Sequence, residues 1–147
     1  ALARGAGAHE VVLYRDEDVV AGVEHLVGAH AVDVVYDGVG AATFEASLDV
    51  LRPRGMLVSF GNASGPVPPV APITLSRKGS LYLTRPTLAH YVATTEELRR
   101  RAEAVLGGVA ASTLQVRIGL RLPMEQVARA HERLEARQTT GKVVLQP

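Results

Sequence analysis

VDVVYDGVGAATFEASLDVLRPRGMLVSFGNASG, residues 32–65, decides the fold. It opens on a β-branched apolar run, Val32–Tyr36, and closes on a second, Met56–Phe60. Near-continuous Val/Leu runs suit strands buried on both faces of a parallel sheet better than strict alternation does. Between them Phe44, Leu48 and Leu51 recur at i, i+4 and i+7, a helical stripe over about Ala41–Leu51, with Gly55 as a stop. Strand, helix and strand in that order make a right-handed βαβ crossover.

The pattern extends in both directions. Upstream, Glu10–Tyr14 (EVVLY) is expected to be a strand and Asp16–Val27 a helix. That helix carries Val19, Val20, Val23, Leu26 and Val27 on one stripe, and Asp16, Glu17 and Asp18 start it, where the macrodipole favours acids. Downstream, Ser80–Thr84 (SLYLT) reads as a fourth strand. The link Asn62–Gly79 contains Pro66, Pro68, Pro69 and Pro72 and reads as loop with one helical turn near Ile73–Ser76. The fold class is therefore α/β with a doubly wound parallel sheet.

After Arg85-Pro86 the texture changes to two amphipathic helices. Thr94 and Glu97 form a capping box ahead of Leu98, Ala102, Val105 and Leu106. The last helix, about Met124–Arg137, carries Met124, Val127, Ala128, His131 and Leu134 on one face. A short strand is expected around Leu114–Ile118, and Lys142–Leu145 closes the chain as a strand. Two parts follow, residues 1–86 and 87–147. At the other end, Ala1–Arg4 reads as the close of a helix with Gly5 and Gly7 as its stop, so a truncated N-terminus is expected.

Composition narrows the function classes. The 147 residues are 47% hydrophobic, enough for one core, and 16 basic against 15 acidic residues leave a formal charge of +1. That balance gives no reason to expect a nucleic-acid or membrane-surface partner. There is no cysteine, so disulfides and thiolate metal sites are excluded within these residues. No apolar run reaches a membrane span, and the expected location is cytoplasmic. His9, His25, His30, His90 and His131 contain no i, i+4 pair, and His131 is expected to be a core histidine. No G-x-S-x-G occurs, so Ser/His/Asp hydrolysis has no support.

Four motifs stand in order: YDGVG at Tyr36–Gly40, VSFGNASG at Val58–Gly65, LYLTRP at Leu81–Pro86 and AHERLEARQTTGK at Ala130–Lys142. Together they resemble the zinc-independent NADPH:quinone reductases, the ζ-crystallin-like branch of the medium-chain dehydrogenase/reductase superfamily. The resemblance implies a longer subunit, with an N-terminal catalytic domain, a Rossmann domain and a returning C-terminal segment. Against that plan these residues supply strands three to six of the Rossmann sheet and the return segment. The glycine-rich phosphate turn is not among them. Gly5-Ala6-Gly7 follows a helix end, and Gly38-Val39-Gly40 has Thr43 where a third glycine would stand.

In doubly wound sheets ligands lie across the carboxyl ends of the strands. That rule nominates Tyr14, Asp37, Gly38, Val39, Phe60, Gly61, Asn62, Leu83, Thr84 and Arg85; the resemblance implies nearly the same cofactor-binding set and adds Arg137. Tyr14 is read as an adenosine-ribose neighbour or as a tyrosine capping the sheet edge. Asp37 either bonds a cofactor hydroxyl or accepts N–H groups of the following turn, and the turn role is preferred. Gly38 and Gly40 permit close approach of the cofactor, positive φ, or both. Phe60-Gly61-Asn62 would flank the nicotinamide; otherwise Phe60 is core. Leu83-Thr84-Arg85 would hold the carboxamide, or Arg85 is a solvated or interface charge. The resemblance sets Arg137 against the NADP 2′-phosphate, where a planar fork suits phosphate oxygens; the other reading is a helix C-terminal charge.

The resemblance implies hydride transfer from NADPH to a quinone. It also implies a homodimer through the Ser80–Thr84 edge. The other readings are an enone or enal reductase on the same scaffold and a non-catalytic binding or structural module. The 147-residue chain by itself is expected neither to reduce quinones nor to bind NADPH tightly.

Overall fold

Three parallel strands form the first sheet, in the order β1 (Val32–Asp37), β2 (Leu51–Ser59) and β3 (Tyr82–Thr84). The computed structural model describes residues 1–147 as two units, Ala1–His90 and Tyr91–Pro147. In the first, the β1–β2 register runs Val34↔Met56 to Asp37↔Ser59, with an irregularity near Val32↔Leu51 where β2 takes up extra residues. Helix α3 (Phe44–Asp49) crosses from β1 to β2, and α4 (Pro72–Arg77) crosses from β2 to β3. The core sits on the face these helices share: Phe44, Leu48, Leu51, Leu57 and Leu81 are buried together. Lys78, just past α4, ties the crossovers by pairing with Asp49 and with Glu45 of α3.

The opposite face carries Val34, Met56 and Tyr82 in one cross-strand row, all exposed. The expectation of strands buried on both faces therefore holds for one face only. Glu10–Tyr14, expected as a strand, is not one: none of the sheet strands pairs with it, and Tyr14 falls in a turn. No sheet strand runs alongside this segment, and without a partner its backbone has no ladder to join. The helix after it begins later than the acidic run suggests. α2 (Val19–Val27) starts behind Asp18, whose side chain accepts from the Ala21 N–H, while Asp16 and Glu17 lie in the preceding turn. Ahead of it, α1 (Leu2–Gly5) is a short helix that ends at the Gly5-Ala6-Gly7 turn.

The short helix α5 (Leu88–Tyr91) was not legible in the sequence. In the second unit α6 (Thr95–Ala110) has the capping box, with both reciprocal bonds of Thr94 and Glu97 present. Arg101 of α6 donates to the Tyr91 carbonyl and lies 5.2 Å from that ring's centre. The strand expected at Leu114–Ile118 lies further on, as β4 (Ile118–Pro123), parallel to β5 (Lys142–Gln146). Pairing decides its place. Gly119 passes so close to Thr140 that an added Cβ would stand 1.7 Å from the Thr140 carbonyl oxygen, and Gly141 takes a positive φ of 77°. The connection is a 3-10 turn, Met124–Gln126, and α7 (Val127–Glu135). Its buried residue is Ala130; Met124, Val127 and Leu134 of the expected stripe are exposed, and His131 is exposed rather than core. No helix is long and apolar enough to cross a membrane.

Candidate functional site

The carboxyl ends of β1 and β2 continue into two turns, Asp37–Ala42 and Phe60–Gly65, bonded together along their length. Phe60 and Gly61 N–H donate to the Asp37 carbonyl at 2.8 and 3.3 Å. Ser64 N–H donates to the Val39 carbonyl at 2.7 Å, and Ala41 N–H to the Gly65 carbonyl at 3.1 Å. The Ser64 hydroxyl accepts from Ala42 N–H and donates to the Val39 carbonyl, which closes the seam from the side-chain level.

Glycine makes this contact possible. At Gly61 a Cβ would stand 2.4 Å from the Gly38 carbonyl oxygen, and at Gly40 it would meet the Gly65 carbonyl oxygen at 2.6 Å. Gly40 also has a positive φ of 91°; Gly38 does not, so the expected positive φ applies to Gly40 alone. What Gly38 provides is room for Phe60, whose ring would lie 2.9 Å from a Cβ at that position. Phe60 is consequently not core. It is 54% exposed, with its ring on the Gly38 backbone.

Asp37 anchors the first turn. Its Oδ1 accepts from the N–H groups of Val39 and Gly40 at 2.8 and 3.0 Å. Thr43 Oγ1 donates across both carboxylate oxygens at 3.0 and 2.9 Å, and Ser47 Oγ donates to Oδ2 at 3.0 Å. Burial opposes ionisation and is the largest single influence on this carboxyl. The Gly40 N–H, Thr43 hydroxyl, Val39 N–H and Ser47 hydroxyl together outweigh it and hold Asp37 below the usual carboxylate range. The geometry matches the turn role, because the carboxylate is already engaged by four donor groups. Thr43 and Ser47 escaped sequence reasoning. The only signal was a Thr and a Ser spaced i, i+4 behind an Asp at a strand end.

A pocket of about 260 Å³ lies beside the second turn, lined by Phe44, Ser59, Asn62, Pro66, Val67, Pro68, Val70, Leu83 and Arg85. Arg85 is no merely solvated charge: its guanidinium donates to the Ser59 carbonyl at 3.0 Å. Of the nominated residues, the turns bring together Gly38, Val39, Phe60, Gly61 and Asn62. The pocket joins Asn62 to Leu83 and Arg85, and Thr84 pairs with Val58 at the end of β3. Tyr14 is half exposed and is not at a strand end. Arg137 belongs to the second unit. It sits just past α7 with φ 56°, its N–H bonded to the Leu134 carbonyl and that of Gln138 to the Arg133 carbonyl. This is a Schellman turn with an arginine where glycine is usual.

The sequence profile described as zinc-binding dehydrogenase matches residues 6–145. A quinone oxidoreductase of Pseudomonas aeruginosa is 48% identical over 99% of this chain and 45% of its own length. A 2-haloacrylate reductase of a Burkholderia species is 38% identical over 99% of this chain and 44% of its own. The crystal structure of Escherichia coli quinone oxidoreductase complexed with NADPH superposes with a TM-score of 0.93 at 44% identity, covering 99% of this chain and 45% of that one. The chain thus spans under half the length of the relatives it matches.

The metal in the profile's description finds no fit in these residues. There is no cysteine, and nowhere do three or more His, Asp or Glu side chains gather as a metal-binding group. NADPH fits in part. Phe60 exposes an apolar ring at the strand ends where such sheets take ligands, whereas no G-x-G-x-x-G follows a strand and opens a helix.

Proposed function

We propose, because this chain belongs to the zinc-binding dehydrogenase family, that it supplies the nicotinamide side of an NADPH-dependent quinone reductase. One observation carries the reading: the bonded pair of turns at the carboxyl ends of β1 and β2, with the Phe60 ring laid half-exposed on Gly38. Ligands of doubly wound sheets occupy that end, and relatives at 44–48% identity are quinone oxidoreductases.

NADPH, when bound, supplies the hydride. In this proposal Phe60, Gly61 and Asn62 form the floor under the nicotinamide, next to Gly38 and Val39 of the first turn. Leu83, Thr84 and Arg85 hold the carboxamide from the end of β3, and Tyr14 lies toward the adenosine ribose. Arg137, in the second unit, is proposed for the 2′-phosphate, because a planar guanidinium fork suits phosphate oxygens. Holding the ring fixed converts hydride transfer into a step within one complex. The expected affinity of the chain by itself for NADPH is weak, since pyrophosphate binding uses a glycine-rich turn at a helix N-terminus.

The partner proposed is a second copy, joined through the β3 edge, where Tyr82 is 59% exposed at the end of the strand order. A second substrate class, an activated alkene, is favoured by the 38% identity to a 2-haloacrylate reductase. The test replaces the matched stretch of the E. coli quinone oxidoreductase by this chain and follows NADPH consumption with a quinone and with an enone. Turnover with the quinone supports the proposal. Turnover with the enone alone moves it to the second substrate class, and a folded chimera inert to both refutes it.

A further inference from the structure

We propose that Asp37, Thr43 and Ser47 are positioning residues for the cofactor face, forming a buried clamp that sets where Phe60 and Gly61 lie. The inference rests on the NADPH reading above and extends it to residues that touch no cofactor.

An aspartate that merely starts a turn needs a single bond from its side chain to an N–H two residues on. Asp37 has that bond to Val39, and three further donor groups hold the carboxylate, two of them hydroxyls from the α3 side of the crossover. Thr43 stands at the N-cap position of α3, and its hydroxyl is directed at Asp37; the start of the helix receives no side-chain cap. Ser47, one turn later on the same face, is buried, as is Asp37 itself. No buried side-chain polar atom is left without a partner, so the network is closed.

Asp37 therefore faces two ways. Its side chain is fixed by α3, and its backbone carbonyl receives the N–H groups of both Phe60 and Gly61. The next residue, Gly38, carries the Phe60 ring on its backbone and the Gly61 backbone against its carbonyl. A rotation of the Asp37 carboxylate turns the following peptide, and that peptide is the surface on which Phe60 and Gly61 rest. Helix α3 and the nicotinamide floor are mechanically one piece through this residue.

The test uses amide exchange and NADPH titration by NMR on the chimeric subunit described above, which carries the rest of the cofactor domain, with Thr43→Val and Ser47→Ala, which remove hydroxyls with little change of shape. Before any substitution, shifts at Phe60, Gly61 and Asn62 on adding NADPH check the cofactor reading. Their absence overturns that reading and this proposal with it. In the variants, protection of the Phe60 and Gly61 amides should fall roughly five- to ten-fold, the equivalent of one hydrogen bond. Leu57 in β2 and Val144 in β5 should be unchanged, and the NADPH-induced shifts should shrink in parallel. Thr43→Ser should restore both. A uniform loss of protection across the first unit would make the network merely structural. Unchanged exchange at Phe60 and Gly61, or lost protection with unaltered NADPH shifts, would overturn the positioning role.

Discussion

Replacing Gly61 by alanine should be among the most damaging single-methyl additions in the first unit, and the structure sets the size of the effect. The new Cβ would stand 2.4 Å from the Gly38 carbonyl oxygen, 2.8 Å from its Cα and 2.9 Å from its carbonyl carbon. Non-bonded carbon contacts settle near roughly 3.5 Å or more, so the second turn must retreat by about 1 Å. Phe60 N–H now reaches the Asp37 carbonyl at 2.8 Å and Gly61 N–H at 3.3 Å; a retreat of that size breaks both bonds. Two lost bonds cost about 1–3 kcal/mol, and strain around an extra methyl in a packed site costs about 1–3 more. The reduced entropy of the unfolded chain returns about 0.4–1 kcal/mol. The net loss is roughly 1–5.5 kcal/mol, measured as a shift in the urea midpoint of the first unit. Gly61 has no positive φ, so the effect isolates contact from backbone strain. Gly5→Ala, with no atom within 4 Å, is the control and should stay within about 0.5 kcal/mol of the wild type. A Gly61→Ala protein as stable as that control would refute the account of the joined turns.

Further outcomes can be checked on the same chain. Asp37 has a folded pKa below its unfolded value, so its contribution is present above the ordinary carboxylate range and lost as pH falls through the folded value. Urea midpoints should drop on acidification, and Asp37→Asn should flatten that slope. Gly107 lies inside α6 with nothing within 4 Å, so Gly107→Ala should stabilise the second unit by about 0.5–1 kcal/mol in thermal unfolding. Gly119→Ala should instead break the β4–β5 pair, visible as loss of amide protection over Lys142–Gln146. Arg137→Gly should relieve the left-handed strain by roughly 1 kcal/mol in urea titration while erasing any preference for NADPH over NADH in the chimeric subunit.

The sequence by itself determined the βαβ rhythm of residues 32–60, the parallel sheet, the capping box at Thr94 and Glu97, and the closing strand. These are local: a run of β-branched residues, a 3.6-residue stripe or a cap declares itself within a few positions. It also fixed the family, because four short motifs in order constrain one chain more than any one of them does. Tertiary structure decided what depends on a neighbour. Glu10–Tyr14 has strand chemistry and no strand beside it, while Ile118–Pro123 became a strand because Gly119 lets Thr140 approach. The stripe on α7 looked buried, yet only a facing surface buries a stripe. The candidate site divides the same way. Asp37, Phe60 and Gly61 were legible as strand-end residues. That Thr43 and Ser47 converge on one carboxylate depends on how the turn after β1 lays α3 back over Asp37, and that two turns share one seam of backbone bonds depends on how β1 and β2 end side by side. Hydrogen bonds across more than twenty residues of sequence leave no mark on local spacing, and only the folded chain brings their partners within reach.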